Sequence, residues 1–143
     1  MKKLLTISLL LLVAFAFTGC IDTKTTVVVK NLSDFQISDM IIFCYQGNDQ
    51  VDQKNAGSLG VGSSSSPTEI ASKIEKVAIS FKFFIDGIYS VRYITVNKYL
   101  VNSNSETTIT IENSTMVKYY SDSKAPGVEN TEGFTIAKLR IEK

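Results

Sequence analysis

The chain has 143 residues, with 15 basic side chains against 14 acidic ones and no histidine. Its charges are nearly balanced and scattered singly, which excludes the basic stripe that a nucleic-acid-binding protein needs. The absence of histidine excludes Ser-His-Asp and Cys-His catalysis, and it removes the commonest zinc ligand.

The first twenty residues have the layout of a secretory signal peptide. Two lysines follow Met1, and the apolar run from Leu4 to Phe17 is shorter than the roughly 20 residues that span a bilayer. The segment ends in Phe17-Thr18-Gly19-Cys20. This ending resembles the lipobox of bacterial lipoproteins, although Phe17 stands where that family usually has leucine. The resemblance implies that residues 1–19 are removed and that Cys20 is lipidated. The alternatives are an ordinary secretory signal and a retained N-terminal helix.

Removal of residues 1–19 leaves 124 residues, with 13 basic against 14 acidic side chains. That length predicts one domain, over residues 25–143, behind a short tether of residues 20–24. Such a tether would hold the domain close to a membrane of a bacterial cell envelope. Ile21 follows the cysteine in place of the aspartate that resembles an inner-membrane retention signal. We therefore expect the outer membrane if the cell has two.

The mature part begins with two predicted strands. Residues 25–30 are rich in β-branched side chains, which favour strands, and residues 31–34 predict a turn. Residues 37–45 are apolar at both parities, so this strand is predicted to lie in the centre of its sheet. Strict alternation predicts that Ile37 shares one face with Ile41, Phe43 and Tyr45. Cys44 has no partner once Cys20 is lipidated, and we predict a buried free thiol.

The next stretch, Gly47 to Pro67, is rich in glycine and serine and predicts a loop. Its acidic residues lack the spacing of a calcium-binding loop, and its glycines are not followed by the Lys-Ser/Thr pair of a phosphate-binding loop. Thr68 is a candidate cap for one helical turn over residues 69–73.

Residues 77–96 predict a β-hairpin that turns at Asp86-Gly87. A two-residue loop would put Ser90 and Arg92 on the core face, opposite apolar residues. A three-residue loop with a bulge at Gly87 avoids this, so we predict the bulged turn. The predicted pairs are Phe83 with Tyr89, Phe81 with Val91, and Ile79 with Tyr93.

Three further strands are predicted over residues 106–112, 116–120 and 134–141, with polar or Pro/Gly-containing loops between them. In the last strand the apolar residues lie at even positions up to Ile136 and at odd positions from Leu139. We predict a bulge near Ala137 or Lys138 that would bring both sets to the same face. Strands without intervening amphipathic helices predict an all-β fold, a single antiparallel β-sandwich of about seven strands. The architecture resembles that of Ig-like domains, although the chain has no tryptophan for their usual core.

The sequence has no recognisable catalytic, metal-binding or cofactor-binding motif, so we expect no enzymatic activity, no cofactor and no small-molecule substrate. Tyr99, Tyr119 and Tyr120 lie at or near strand ends and are the candidate partner surface, with one of the adjacent pair facing outward. We expect a non-catalytic binding or structural module whose partner is an envelope protein or a glycan. The alternatives are an inhibitor or immunity-type protein that uses residues 57–67 to block an enzyme, and a carboxylate-based hydrolase.

Overall fold

The computed structural model describes residues 24–85, 88–120 and 133–140, which form ten β-strands and one short 3₁₀ helix. The strands are β1 (Thr25–Asn31), β2 (Gln36–Gln46), β3 (Asp49–Leu59), β4 (Thr68–Ile70), β5 (Lys76–Ile85), β6 (Ile88–Thr95), β7 (Tyr99–Leu100), β8 (Glu106–Ile111), β9 (Met116–Tyr119) and β10 (Phe134–Thr135). The 3₁₀ helix covers Ile136–Arg140. In this part of the chain no helix is long and apolar enough to cross a membrane. Cys20 and the segment before it lie outside the described residues.

The strands form two packed sheets, which confirms the predicted all-β sandwich. The smaller sheet has the order β4-β1-β8, and the larger has the order β10-β9-β6-β5-β2-β3, with β7 paired to the start of β5. The larger sheet is antiparallel, whereas β1 and β8 in the smaller sheet run parallel. The strands thus number ten where about seven are predicted. The likeness to Ig-like domains remains a prediction.

The core lies between the two sheets. Alternation along β1 turns Val27 and Val29 inward, and both are fully buried. The residues of the larger sheet that join them in one buried cluster include Met40, Ile42 and Cys44 of β2 and Val77, Ile79, Phe81 and Phe83 of β5. The central position of β2, between β5 and β3, is the one predicted from its two apolar parities.

A buried amide fastens the end of β1 to its neighbours. Asn31 is fully buried, and its Nδ2 donates to the carbonyl oxygens of Phe35, Leu59 and Gly60 at 2.8, 3.4 and 3.2 Å. Its Oδ1 accepts from the amide and the hydroxyl of Ser33 at 3.1 and 2.7 Å. The predicted turn after β1 is therefore present, and its first side chain ties it to the end of β3.

The loop predicted over Gly47 to Pro67 is wrong in its first half, because β3 occupies most of that stretch. β3 pairs with β2 and is an edge strand, and all its side chains except Leu59 are exposed or half-buried. A strand without a buried face has no apolar alternation, so hydrophobic periodicity cannot detect it. Residues 60–67 do form a loop, which is held to β1 by backbone hydrogen bonds of 2.8 Å from Asn31 N to Ser63 O and from Ser65 N to Val29 O.

The predicted helical turn over residues 69–73 is also wrong. Thr68–Ile70 forms β4, in which Glu69 pairs with Thr26 of β1. Ile70 and Ile74 are buried in the core. A single helical turn is costly to nucleate, so the pairing of β4 with β1 and the burial of these two side chains in the core decide the local conformation.

β5 and β6 form the predicted hairpin in a different register. Ile85 pairs with Ile88, which leaves a two-residue connection, and a bulge within β6 then shifts the register so that Phe81 pairs with Tyr93. The bulge keeps Arg92 off the core face, as the sequence requires, but it lies inside the strand rather than in the turn. The predicted pairs of Phe83 with Tyr89, Phe81 with Val91, and Ile79 with Tyr93 are therefore wrong.

The last predicted strand is replaced by two residues of β10 and the 3₁₀ helix. Ile136 is fully buried and Leu139 packs against the core, three residues further on. Three residues make one turn of 3₁₀ helix, so both side chains lie on the same side. The change of parity in the sequence therefore reflects a helical turn, and the predicted bulge near Ala137 or Lys138 is wrong.

Candidate functional site

The structure does not bring together the three tyrosines predicted as a partner surface. Tyr99 packs half-buried against the core, and burial raises the pKa of its hydroxyl. Tyr119 is 44% exposed, as expected for one of the adjacent pair, and its ring contacts those of Tyr93 and Phe134. Tyr120 belongs to a separate apolar cluster, with its ring centroid 5.3 Å from that of Phe43.

That separate cluster lies on the face of the larger sheet that points away from the smaller sheet, called here the outer face. Its buried centre is Phe43, Ala78 and Ile94, and its half-buried rim is Ile41, Tyr45 and Tyr120. An antiparallel sheet with one solvated face normally has polar residues there, and this apolar centre, buried beneath its half-buried rim, departs from that pattern. In the sequence, this cluster is visible only as the second set of alternating apolar residues in residues 37–45. The same pattern predicts a central strand equally well.

Basic side chains border this apolar centre. Lys98 Nζ lies 3.8 Å from the centroid of the Tyr45 ring, in a cation–π contact. Lys76 pairs with Tyr45 across the sheet, and Lys118 pairs with Ile94. Lys82 and Arg92 face each other further along β5 and β6. Among the described strand residues whose side chains lie on the outer face, Asp39 is the acidic one. The basic side chains outnumber it, so the outer face has a net positive charge.

A bulge in β2 aims the side chains of the outer face. Asp39 has a left-handed φ of 48°, which aspartate tolerates better than most residues, and the register shifts around it. Arg92 Nη1 donates to the Asp39 carbonyl oxygen at 2.7 Å, and Lys82 Nζ lies 3.1 Å from its carboxylate. The bulge puts Ile37 on the core side, so its predicted grouping with Ile41, Phe43 and Tyr45 is wrong.

The outer face carries aromatic and basic side chains around its apolar centre. Aromatic rings stack on sugars and apolar side chains, and lysine and arginine attract anionic groups. Within the described ranges, no three Cys, Asp or Glu side chains are grouped as a metal site requires. No family model, curated protein or solved structure matches the chain.

Cys44 lies on the opposite, inner face and is a buried free thiol, as predicted. Burial raises the pKa of this thiol from its ordinary value of 9.0 to about 11, and the negative charge of Asp52 adds to the effect. The thiolate is the reactive form of cysteine, so this side chain is inert at neutral pH. It behaves as a small apolar residue of the core.

A groove with a volume of about 370 Å³ lies between β3 and residues 64–68. Its lining residues are Asn55, Ala56, Gly57, Ser58, Leu59, Ser64, Ser65, Ser66, Pro67 and Thr68. They offer hydroxyls, one amide and backbone groups, and none of them is charged. The groove has hydrogen-bonding capacity, but its lining supplies no general base and no charged partner for an ionic ligand.

Proposed function

We propose that this protein is a lipid-anchored, non-catalytic binding or structural module of the bacterial cell envelope. The observation that carries the proposal is the sequence from Met1 to Cys20, which resembles a lipoprotein signal ending in a lipidated cysteine. It is supported by the start of β1 at Thr25, only five residues after Cys20. An anchor attached this close to a sandwich suits a domain that acts at the membrane surface. In a cell with two membranes, we expect the outer one.

The outer face is the binding surface in this proposal. Ile41 and Tyr120, on the half-buried rim of its apolar centre, suit an envelope protein or a glycan. The predicted set of Tyr99, Tyr119 and Tyr120 is thereby reduced to Tyr120, because Tyr99 packs against the core and Tyr119 lies in a different cluster. Tyr119 remains exposed and is a second, separate contact candidate.

The anchor is tested by the substitution Cys20→Ser in the producing bacterium. We expect loss of fatty-acid labelling and release of the protein from the membrane fraction. The matched control is Cys44→Ser, which alters a thiol buried in the core and should leave both labelling and fractionation unchanged. Unchanged fractionation of the Cys20→Ser protein would rule out the anchor.

The second candidate function is an inhibitor or immunity-type protein that blocks an enzyme at the envelope. The observation in its favour is the loop at residues 60–67, which is fixed to β1 and leaves Val61 60% exposed. A pre-ordered loop loses little entropy when it enters a cleft.

A pulldown from envelope extracts separates the two functions. A stoichiometric complex with a hydrolase that is lost in Val61→Asp supports the inhibitor. Recovery of another envelope protein or a glycan that is lost in Tyr120→Ala supports the binding module. A screen against glycoside and peptide substrates should show no turnover, and any metal-independent turnover would contradict a non-catalytic role.

A further inference from the structure

One corner of the outer face combines two apolar side chains with two lysines. Tyr45, Lys76 and Leu100 form a row across β2, β5 and β7, because Lys76 pairs with both of the others. Leu100 is 72% exposed, the highest value among the large apolar side chains that the structure describes. Lys98 lies over the Tyr45 ring. These four residues are called here the Leu100 corner.

The Leu100 corner lies at the end of the sandwich where β1 begins. The Asn104 amide donates to Thr25 Oγ1 at 2.8 Å, and the Thr26 amide donates to the Ser105 carbonyl oxygen at 3.0 Å. Leu100 thus lies four residues before Asn104, which contacts Thr25, the first residue of β1. Four residues span at most about 14 Å, so the corner and the start of β1 belong to the same end of the molecule.

The proposed lipid would hold this same end against the membrane. Five Cα-to-Cα steps separate Cys20 from Thr25, a reach of at most about 18 Å even when fully extended. The anchored end therefore cannot move far from the lipid headgroups. Any exposed group at this end meets the membrane surface at a high effective concentration.

The chemistry of the Leu100 corner matches an anionic lipid surface. Leucine and tyrosine partition into the headgroup region, and lysines keep their charge in water while their stems lie along apolar surface. Each lysine near an anionic membrane strengthens the attraction of the protein to that surface. In the described part of the chain, the ion pairs are Lys24 with Glu69, Lys54 with Asp52, and Lys82 with Asp39, which include neither Lys76 nor Lys98. The nearest acid in sequence, Glu75, accepts a hydrogen bond from the Gly47 amide.

We propose that the Leu100 corner binds the anionic lipid surface that carries the anchor, an inference that rests on the proposed lipidation of Cys20. This second contact fixes the orientation of the domain. Tyr45 and the start of β5 lie against the headgroups, while the far end, with the loop at residues 60–67, points away. The anchor alone would leave the domain free to tumble about its tether.

The test uses the full lipidated chain in vesicles of phosphatidylcholine and phosphatidylglycerol in equal parts, some lipids carrying a nitroxide quencher. A fluorophore is attached at Leu100→Cys and, in a control, at Val61→Cys, which is 60% exposed and lies in the loop bonded to Asn31 at the other end of β1. Cys44 stays unlabelled because it is buried. We expect several-fold stronger quenching at position 100 than at position 61. Equal quenching at the two positions would overturn the proposal.

Charge is tested in the same labelled protein. The double change Lys76→Glu and Lys98→Glu should abolish the excess quenching at position 100, whereas Lys30→Glu, on the smaller sheet, should not. Pure phosphatidylcholine vesicles should give the result of the double variant, and circular dichroism checks that this variant is folded. Excess quenching that survives the double change would contradict an electrostatic contact.

Flotation of the same vesicles distinguishes the two proposals. Protein that floats with the vesicles but shows no excess quenching at position 100 overturns only the Leu100 corner. Protein that does not float overturns the lipid anchor, and the membrane contact that depends on it falls as well.

Discussion

The two faces of the larger sheet are made by the same strands but are covered differently. On the inner face, Val77, Ile79, Phe81 and Phe83 of β5 are fully buried in the core between the sheets. On the outer face, β5 presents Lys76, Ala78, Ser80 and Lys82. Among the residues that the structure describes, the apolar centre there is bordered by its half-buried rim.

This difference separates what the fold needs from what a partner can use. The inner face must be apolar because it joins the two sheets, and its loss would remove the sandwich. The outer centre joins no second layer among the described residues, yet Phe43 is 2% exposed there. The side chains that a partner could reach on this face are therefore those of the half-buried rim, and the buried centre supports them.

The largest expected effect comes from shortening an aromatic residue on each face. Phe81→Ala should lower the free energy of unfolding by about 4 kcal/mol, because it leaves a cavity in a closed core. Phe43→Ala should cost about 2 kcal/mol, near the transfer term alone, because the half-buried rim can close over the gap. Urea unfolding of the domain that begins at Ile21 measures both. Equal losses would mean that the outer centre is as much a part of the core as the inner one.

The sequence predicts the inner face well because alternation depends on burial. Residues 25–30 and 106–111 alternate regularly, and each forms a strand whose buried side chains share one parity. The all-β class follows from these segments alone. The polar edge strand β3 could not be predicted in the same way, since its pairing with β2 depends on backbone hydrogen bonds that any side chains permit.

The outer face could be predicted only in part. Bulges at Asp39 and within β6 each change which parity faces the core, and such bulges are set by tertiary contacts such as that of Arg92 with the Asp39 carbonyl oxygen. The spacing of tyrosines along the chain does not reveal which strands become neighbours. Tyr99 and Tyr120 therefore belong to different clusters, although both lie at strand ends.

The inner face should also make stability depend on alkaline pH. The pKa of the Cys44 thiol is raised to about 11 in the folded protein, so the unfolded chain ionises first. Its contribution is fully present below pH 9.0 and is lost as the pH rises through about 11, a loss of up to about 3 kcal/mol. The matched variant is Cys44→Ala, whose unfolding free energy should fall less steeply between these pH values. Parallel curves for the two proteins would show that the thiol does not titrate differently on folding.

A pair of serines on the outer face should respond in opposite directions. Ser38 Oγ is buried and has no hydrogen-bond partner among the described residues, so Ser38→Ala should raise the free energy of unfolding by about 1 kcal/mol. Ser80 is also buried, but its Oγ accepts from Arg92 Nη1 at 3.3 Å, so Ser80→Ala should lower it by about 0.5 kcal/mol. Urea unfolding tests the pair, and a loss of stability in Ser38→Ala would indicate an unrecognised partner for that hydroxyl.

The smallest effect is expected at the rim of the outer face, where Lys98 lies over Tyr45. Lys98→Gln keeps a polar side chain of similar length and removes the charge, so only the cation–π contact should be lost. Because the lysine is exposed, we expect a loss of about 0.5 kcal/mol in urea unfolding. Lys98→Arg retains the charge and should restore the wild-type value. A loss in Lys98→Gln as large as that of Phe43→Ala would mean that the rim, rather than Phe43, holds the outer centre closed. Such a result would give the outer face a structural role in place of the binding role proposed for it.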